Sequence, residues 1–535
     1  MMRPARGAVR QTAQKPGVHK SKTFPAPRKG WVVSQNYAMQ EPETALVLEN
    51  WFPTTTGARV RRGRIKRATL QAGVPVRSMW EYVAPAGRKR FAADATRIYD
   101  ITTVADPLTP VSATVTGRTA GYYADVQMVT VAGVFQYVLN GVDKPLLYDG
   151  ATFTAIDGVS TPAITGVTTT TLSHGWVYAN RLFFVQKGTQ TAWFLPVDSL
   201  GGAASDVSLA GVFNDGSELL FGATWSLDGG DGLNQKCVFI SSTGEVAIYA
   251  GIDPTDPNNW RLDGVYNIAR PLGMKAIMQA GGDLLIATDD GLIALSEAVR
   301  KDPAALTLSA VSRPIEPEWR KEAVARGTLP FEIIKWPSNA MMVVSLPPAF
   351  AGQQDACFVC NLQTGAWAKF TNWQTRCMAM FSERGFYGAN DGCVYEMEFG
   401  GSDDGMPYTA NYVGAFDHLD TPGRTKTVTM ARAIFRAASP VIPKISCSKN
   451  YAETLPSPPS SPADFTTSEW DSGEWDDATW DGAATSLAFT SPWVGIGVTG
   501  YAIAPQVQLT YAVTPQPRAE LVAFDLVYED GGVIV

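Results

Sequence analysis

The residues able to do chemistry are few and scattered. Histidine occurs only at His19, His174 and His418, and none of them has a histidine or cysteine at the i+2 or i+4 spacing that shares a metal. A Ser-His-Asp site around His174 stays open on residue types alone. No G-x-S-x-G turn is present, however, to display a serine nucleophile. Ser226-Leu-Asp-Gly-Gly230 begins an S-x-D-x-G turn, but the tryptophan that would complete S-x-D-x-G-x-x-W is absent. Gly495 and Gly497 are not followed by a helix signal, so they do not make a phosphate-cradling turn. The acid pairs Asp403-Asp404 and Asp476-Asp477 sit in turn-like surroundings. Cys357 and Cys360 form a C-x-x-C with no second pair at zinc spacing, and Cys377 and Cys393 stand alone. Small apolar residues buried in strands are the plainer reading of these thiols. Taken together, the residue types predict no enzyme, no metal and no cofactor.

Composition bounds the elements that surround these residues. A chain of 535 residues can bury a large core and form two or three domains. With 49 glycines and 35 prolines, and Thr and Val throughout, it favours many short strands and turns over long helices. Six cysteines are too few for a disulfide scaffold. No apolar run reaches the ~20 residues that span a bilayer, and the basic N-terminus lacks a secretory h-region. The expected compartment is a reducing cytoplasm. Charge is uneven: residues 1–100 hold 19 Lys/Arg and 6 Asp/Glu out of totals of 44 and 51, leaving 25 and 45 for the rest. The front end is therefore near +13 and the body near −20. Such an asymmetry predicts a basic segment that meets nucleic acid, an acidic protein surface or a neighbouring subunit.

Residues 1–30 carry eight Lys/Arg, no acid and four prolines, and read as an extended basic arm. Phe24 and Trp31 would be out of place in a purely solvated tail, which points to ordering against a partner. Leu46–Phe52 reads as a strand ended by Pro53, Thr54–Gly57 as a polar turn, and Arg59-Val60-Arg61 as the returning strand. This hairpin, within 31–74, is the expected docking element. Its candidate contact residues are Trp51, Phe52, Arg59, Arg61, Arg62 and Arg64. Phosphate binding and a merely solvated face are the alternatives for the arginines, whose strand lacks interleaved aromatics for base stacking.

From 75 to 400, apolar strands recur about every ten residues between Gly, Asp and Asn turns. Hairpins are predicted at Ala179-Asn180, Thr243-Gly244, Asp290-Gly291, Thr364-Gly365 and Asp391-Gly392. Copies return at the spacing of propeller blades, so the expected fold is all-β: a β-propeller of six blades. A run of sandwich domains is the structural alternative. One helix is predicted at Pro317–Arg326, stopped by Gly327. Residues 401–535 return to long alternating strands and should form a platform with the N-terminal part. Within them, the loop 466–482 repeats Trp470, Trp475 and Trp480 every five residues beside acids. Five fits neither strand nor helix period. A packed surface ladder is the plain reading; an aromatic carbohydrate platform or a protein contact are the functional ones.

Several of these segments resemble one family. Ala45-Leu-Val-Leu-Glu-Asn-Trp-Phe-Pro53 with Val60-Arg-Arg-Gly63, the strand Asn180-Arg-Leu-Phe-Phe184, the Trp-Asp repeat and Val527-Tyr-Glu-Asp-Gly-Gly532 are similar to elements of the tail nozzle proteins of short-tailed bacteriophages, also described as packaged-DNA stabilisation proteins. The resemblance implies a virion protein assembled in the host cytoplasm: a homo-oligomer, as a hexameric ring below portal and tail adaptor protein. It would neighbour tail fibre or tailspike proteins, retain genomic DNA and pass it at ejection. A carbohydrate-binding receptor-recognition protein of the tail is the alternative.

Overall fold

A computed structural model describes residues 19–228, 233–348, 350, 352–463 and 487–533. Strands make up 50% of it and helix 7%, so turn-rich, β-branched composition has decided the fold class. Six small sheets stand as a six-blade β-propeller. The first blade joins Cys377–Phe381, Arg384–Gly388 and Cys393–Met397 to Arg64–Thr69, a strand from far earlier in the chain. The second is Ser78–Ala84, Gly87–Ala93 and Ile98–Asp100. The third begins at Ala124–Thr130, the fourth at Leu172–Tyr178, the fifth at Leu219–Asp228 and the sixth at Ile277–Ala280. Each opening strand runs innermost, and in the blades whose first connection is described the next strand returns antiparallel through a short turn. Ala179 and Asn180, both at positive φ, make one such turn where the sequence predicts it.

Apolar side chains on facing blades fill the seams. Trp176, Phe183 and Phe194 of the fourth blade pack with Phe239 and Tyr249 of the fifth, and the other adjacent pairs each have a cluster of their own. Gly222 shows how tight a seam is: a Cβ there would fall inside the Trp176 indole. The sector between the sixth and first blades is filled differently. Ile333–Trp336 lies between Ile277–Ala280 and Cys377–Phe381, and it opens a nine-stranded sheet. That sheet continues through Met341–Leu346, Ala356–Asn361 and Trp367–Thr371, then takes Gly30–Trp31, Thr44–Glu49, Tyr408–Gly414, Ile503–Tyr511 and Lys444–Lys449.

The nine-stranded sheet and a seven-stranded one make the platform. In the second, Ala519–Val533 is flanked by Arg424–Ala437 on one side and by Lys20–Pro25 and Ala58–Val60 on the other. An early strand, Lys20–Pro25, and a late one, Ala519–Val533, thus meet in one sheet. The predicted boundaries move accordingly. Arg64–Thr69 belongs to the propeller and not to an N-terminal 31–74 unit. Residues 20–25 of the predicted arm are a strand pinned by Phe24, which is buried edge-on against Phe524. The predicted single strand Leu46–Phe52 is two, because Asn50 at φ 59 breaks it. Thr44–Glu49 stays in the nine-stranded sheet and Trp51–Pro53 crosses to the seven-stranded one. The helix Glu316–Arg326 forms as predicted, with Gly327 at its end; a Cβ on Gly327 would press the Ala323 carbonyl at 2.5 Å. Two shorter helices, Leu295–Arg300 and Pro303–Ser309, precede it.

Candidate functional site

Three of the six predicted docking residues turn inward, and Arg59, Arg62 and Arg64 stay partly exposed. Trp51, Phe52 and Arg61 are buried in the chain's own core, which removes their side chains from any partner. The alternation that suggested a wet arginine face is overridden by tertiary pairing. Arg61 donates to both carboxylate oxygens of Asp403, at 2.8 and 2.6 Å, and its Nε donates to Asn50 Oδ1 at 2.7 Å. Its guanidinium lies between the rings of Tyr408 (3.9 Å) and Trp373 (4.9 Å). Asn50 completes the knot by donating to Thr371 Oγ1 and the Thr409 carbonyl, both at 2.7 Å. Arg59 pairs with buried Glu398 at 2.8 Å and covers Phe52. Arg62 is half-buried, its backbone N–H on Glu398, and burial pushes its guanidinium down. Arg64 donates to the Tyr387 hydroxyl and lies over Tyr395.

These pairs answer the charge asymmetry. Lys20 meets Asp530, Lys22 meets Asp417, Arg59 Glu398, Arg61 Asp403 and Arg67 Glu396. Much of the acidic surface that the basic front end meets belongs to the C-terminal third of the same chain. The candidate aromatic residues Trp470, Trp475 and Trp480 lie outside the described residues.

A second polar group lies on the propeller axis, and only His174 of it was singled out by sequence. Lys275, just before the sixth blade's inner strand, sends its Nζ to within 3.6 Å of Asp125 Oδ1 in the third blade and 3.4 Å of the Met79 carbonyl in the second. One side chain therefore crosses the axis. Glu332 is buried beside it, with Oε2 accepting from the Met378 N–H at 2.6 Å. Burial raises its carboxyl to about 7, opposed by Lys275. Glu332 Oε1, the Tyr122 hydroxyl and His174 Nδ1 are shut from solvent and unpartnered among the described residues. Burial, aided by Lys275, holds the His174 imidazole down at about 3, so His174 stays neutral. Its Nδ1 has no acid partner among the described residues, so the acid–imidazole contact that a Ser-His-Asp arrangement needs on that nitrogen is not made. The one signal in the sequence was a carboxylate inside the apolar run Phe331-Glu332-Ile333-Ile334.

Other candidates dissolve in the fold. Gly500 completes a G-x-G-x-x-G spacing begun at Gly495, a match beyond the two glycines weighed above. All six residues nevertheless lie in the strand Val494–Gly500, with no helix N-terminus to hold a phosphate. All six cysteines are free and buried, and burial pushes the Cys357 and Cys377 thiols up. Among the described residues no group of three or more His, Cys, Asp or Glu is placed to hold a metal. No helix among them is long and apolar enough to cross a membrane.

No protein-family model matches the chain, and no curated protein matches it. Among solved structures the chain is similar to U3-55K, with 8% identity and a TM-score of 0.35 over 63% of this chain and all of that one, a likeness too slight to carry a functional argument.

Proposed function

We propose that this chain is a structural protein of a short-tailed phage virion: a tail nozzle subunit. In this reading it joins further copies in a ring below portal and adaptor, retains packaged DNA and conducts it at ejection. One observation supports it most. Parts of the segments that resemble nozzle proteins, Trp51–Pro53 with Val60 and Val527–Gly532, lie in strands of one seven-stranded sheet, in which Ala58–Val60 pairs with Ala519–Val533. A platform closed from both ends, with a propeller inserted between them, is a rigid brick suited to head-to-tail ring contacts that close by rotation. Lys275 reaches from the sixth blade to the second and third, and in this reading the conduit lies between copies. A net charge of −7 favours a wall along which phosphates slide.

Sedimentation velocity and electron microscopy of the purified full chain test the proposal. Closed rings with a central opening are the expected result. A chain that stays monomeric across its soluble range overturns it. Glycan binding that Trp475→Ala abolishes would favour the receptor-recognition reading instead.

A further inference from the structure

Three arginines converge on a groove between the first and second blades. Arg67 lies on the strand that closes the first blade, Arg384 on that blade's second strand, and Arg90 on the second strand of the next blade. Together with Thr102, Thr103 and Phe386 they line a groove of about 470 Å³. Only one carboxylate serves them. Glu396, 5% exposed, accepts from Arg67 Nε and Arg384 Nε, each at 2.6 Å, and a second Arg384 N–H also reaches it. Both of its oxygens are thereby engaged. Among the described residues no carboxylate lies within ion-pair reach of Arg90.

Arg90 is held in place all the same. Its backbone N–H donates to Thr102 Oγ1 at 2.9 Å and its Nη2 to the Thr102 carbonyl at 2.6 Å. Its guanidinium lies 5.3 Å from the centre of the Phe386 ring, which also carries Arg384 at 5.5 Å. The aromatic face and the Thr102 contacts fix the fork before any ligand arrives, which lowers the ordering cost of binding. Burial and the like charge of Arg384 push the Arg90 guanidinium down. The groove is therefore lined by three cations and no carboxylate, with Glu396 behind Arg67 and Arg384, Glu81 across the strand pair from Arg90, and N–H groups on Arg67 and Arg384 that no described acceptor takes. What the charge count lacks is an acceptor with more oxygens and more charge.

We propose that this groove binds a phosphate-class oxyanion, seated between Arg90 and the open N–H edges of Arg67 and Arg384. The chemistry is shared by inorganic phosphate and by a phosphodiester of nucleic acid. The inference rests on the groove alone and stands whether or not the chain forms a nozzle.

The test uses the full chain and Arg90→Met, which keeps an apolar stem over Phe386. Arg384→Met serves as the second variant if the first folds poorly by circular dichroism. Calorimetric titration with sodium phosphate at constant ionic strength should show saturable binding, weakened by about tenfold or more in the variant. Fluorescence anisotropy of a short labelled DNA duplex forms the second arm. Duplex binding that inorganic phosphate displaces assigns the site to nucleic acid, and phosphate binding without duplex binding assigns it to the free ion. No saturable binding of either probe to the wild-type chain overturns the proposal, as does equal affinity in the folded variants.

Discussion

Arg61 and Asp403, separated by 342 residues, face each other through two hydrogen bonds of 2.8 and 2.6 Å with both side chains closed to water. The pair joins the N-terminal hairpin to the segment that follows the first blade. Removing one partner leaves the other charged and buried, which costs far more than the pair itself contributes. Arg61→Met is expected to destabilise the fold by about 3–5 kcal/mol, and Asp403→Asn by less because it keeps an acceptor and the shape. Urea unfolding of both variants checks the order.

Phe24 should outweigh the charges around it. Its ring is buried against Phe524, whereas Lys20 is largely exposed beside Asp530. Phe24→Ala is expected to cost about 3–5 kcal/mol and Lys20→Ala far less, because water screens its ion pair. Removing residues 1–30 would delete this strand, so any assembly defect of that truncation must be read against its stability, measured by chemical denaturation.

Glu332 gives stability a slope with pH. Its folded carboxyl sits at about 7, raised by burial from an unfolded value near 4.5. Below 4.5 both states are protonated and no charge is buried. Between 4.5 and 7 the unfolded chain ionises first, so stability falls as pH rises, and above 7 the loss is complete. The total is about 3 kcal/mol at most. Glu332→Gln should flatten this slope in unfolding curves collected across that range.

The Gly222–Trp176 contact leaves no room for a methyl group. Gly222→Ala is expected to lower stability by about 1–3 kcal/mol through overpacking. Trimming the ring in Gly222→Ala/Trp176→Phe should recover part of that loss, and thermal unfolding would show it.

By itself, the sequence determined the parts. Period-two apolar runs and X-Gly or Asn turns, as at Ala179-Asn180 and Thr243-Gly244, specify hairpins because two-residue turns and side-chain alternation are local properties. Their recurrence at blade spacing was enough to expect a propeller, and six cysteines without metal spacing were enough to expect buried thiols. Which hairpins share a sheet was decided only in three dimensions. Arg64–Thr69 closes a blade with strands more than 300 residues away, and Ile333–Trp336 leaves the propeller pattern for the platform sheet. The arginines show the same division. Residue types made them look like a docking face, since charge is ordinarily solvated. Only the fold brings Asp403, Glu398 and Glu396 beneath Arg61, Arg59 and Arg67, and leaves Arg90 without an ion pair among the described residues. Pairing across such distances depends on which surfaces close around a core, and that is a property of the whole chain rather than of any stretch within it.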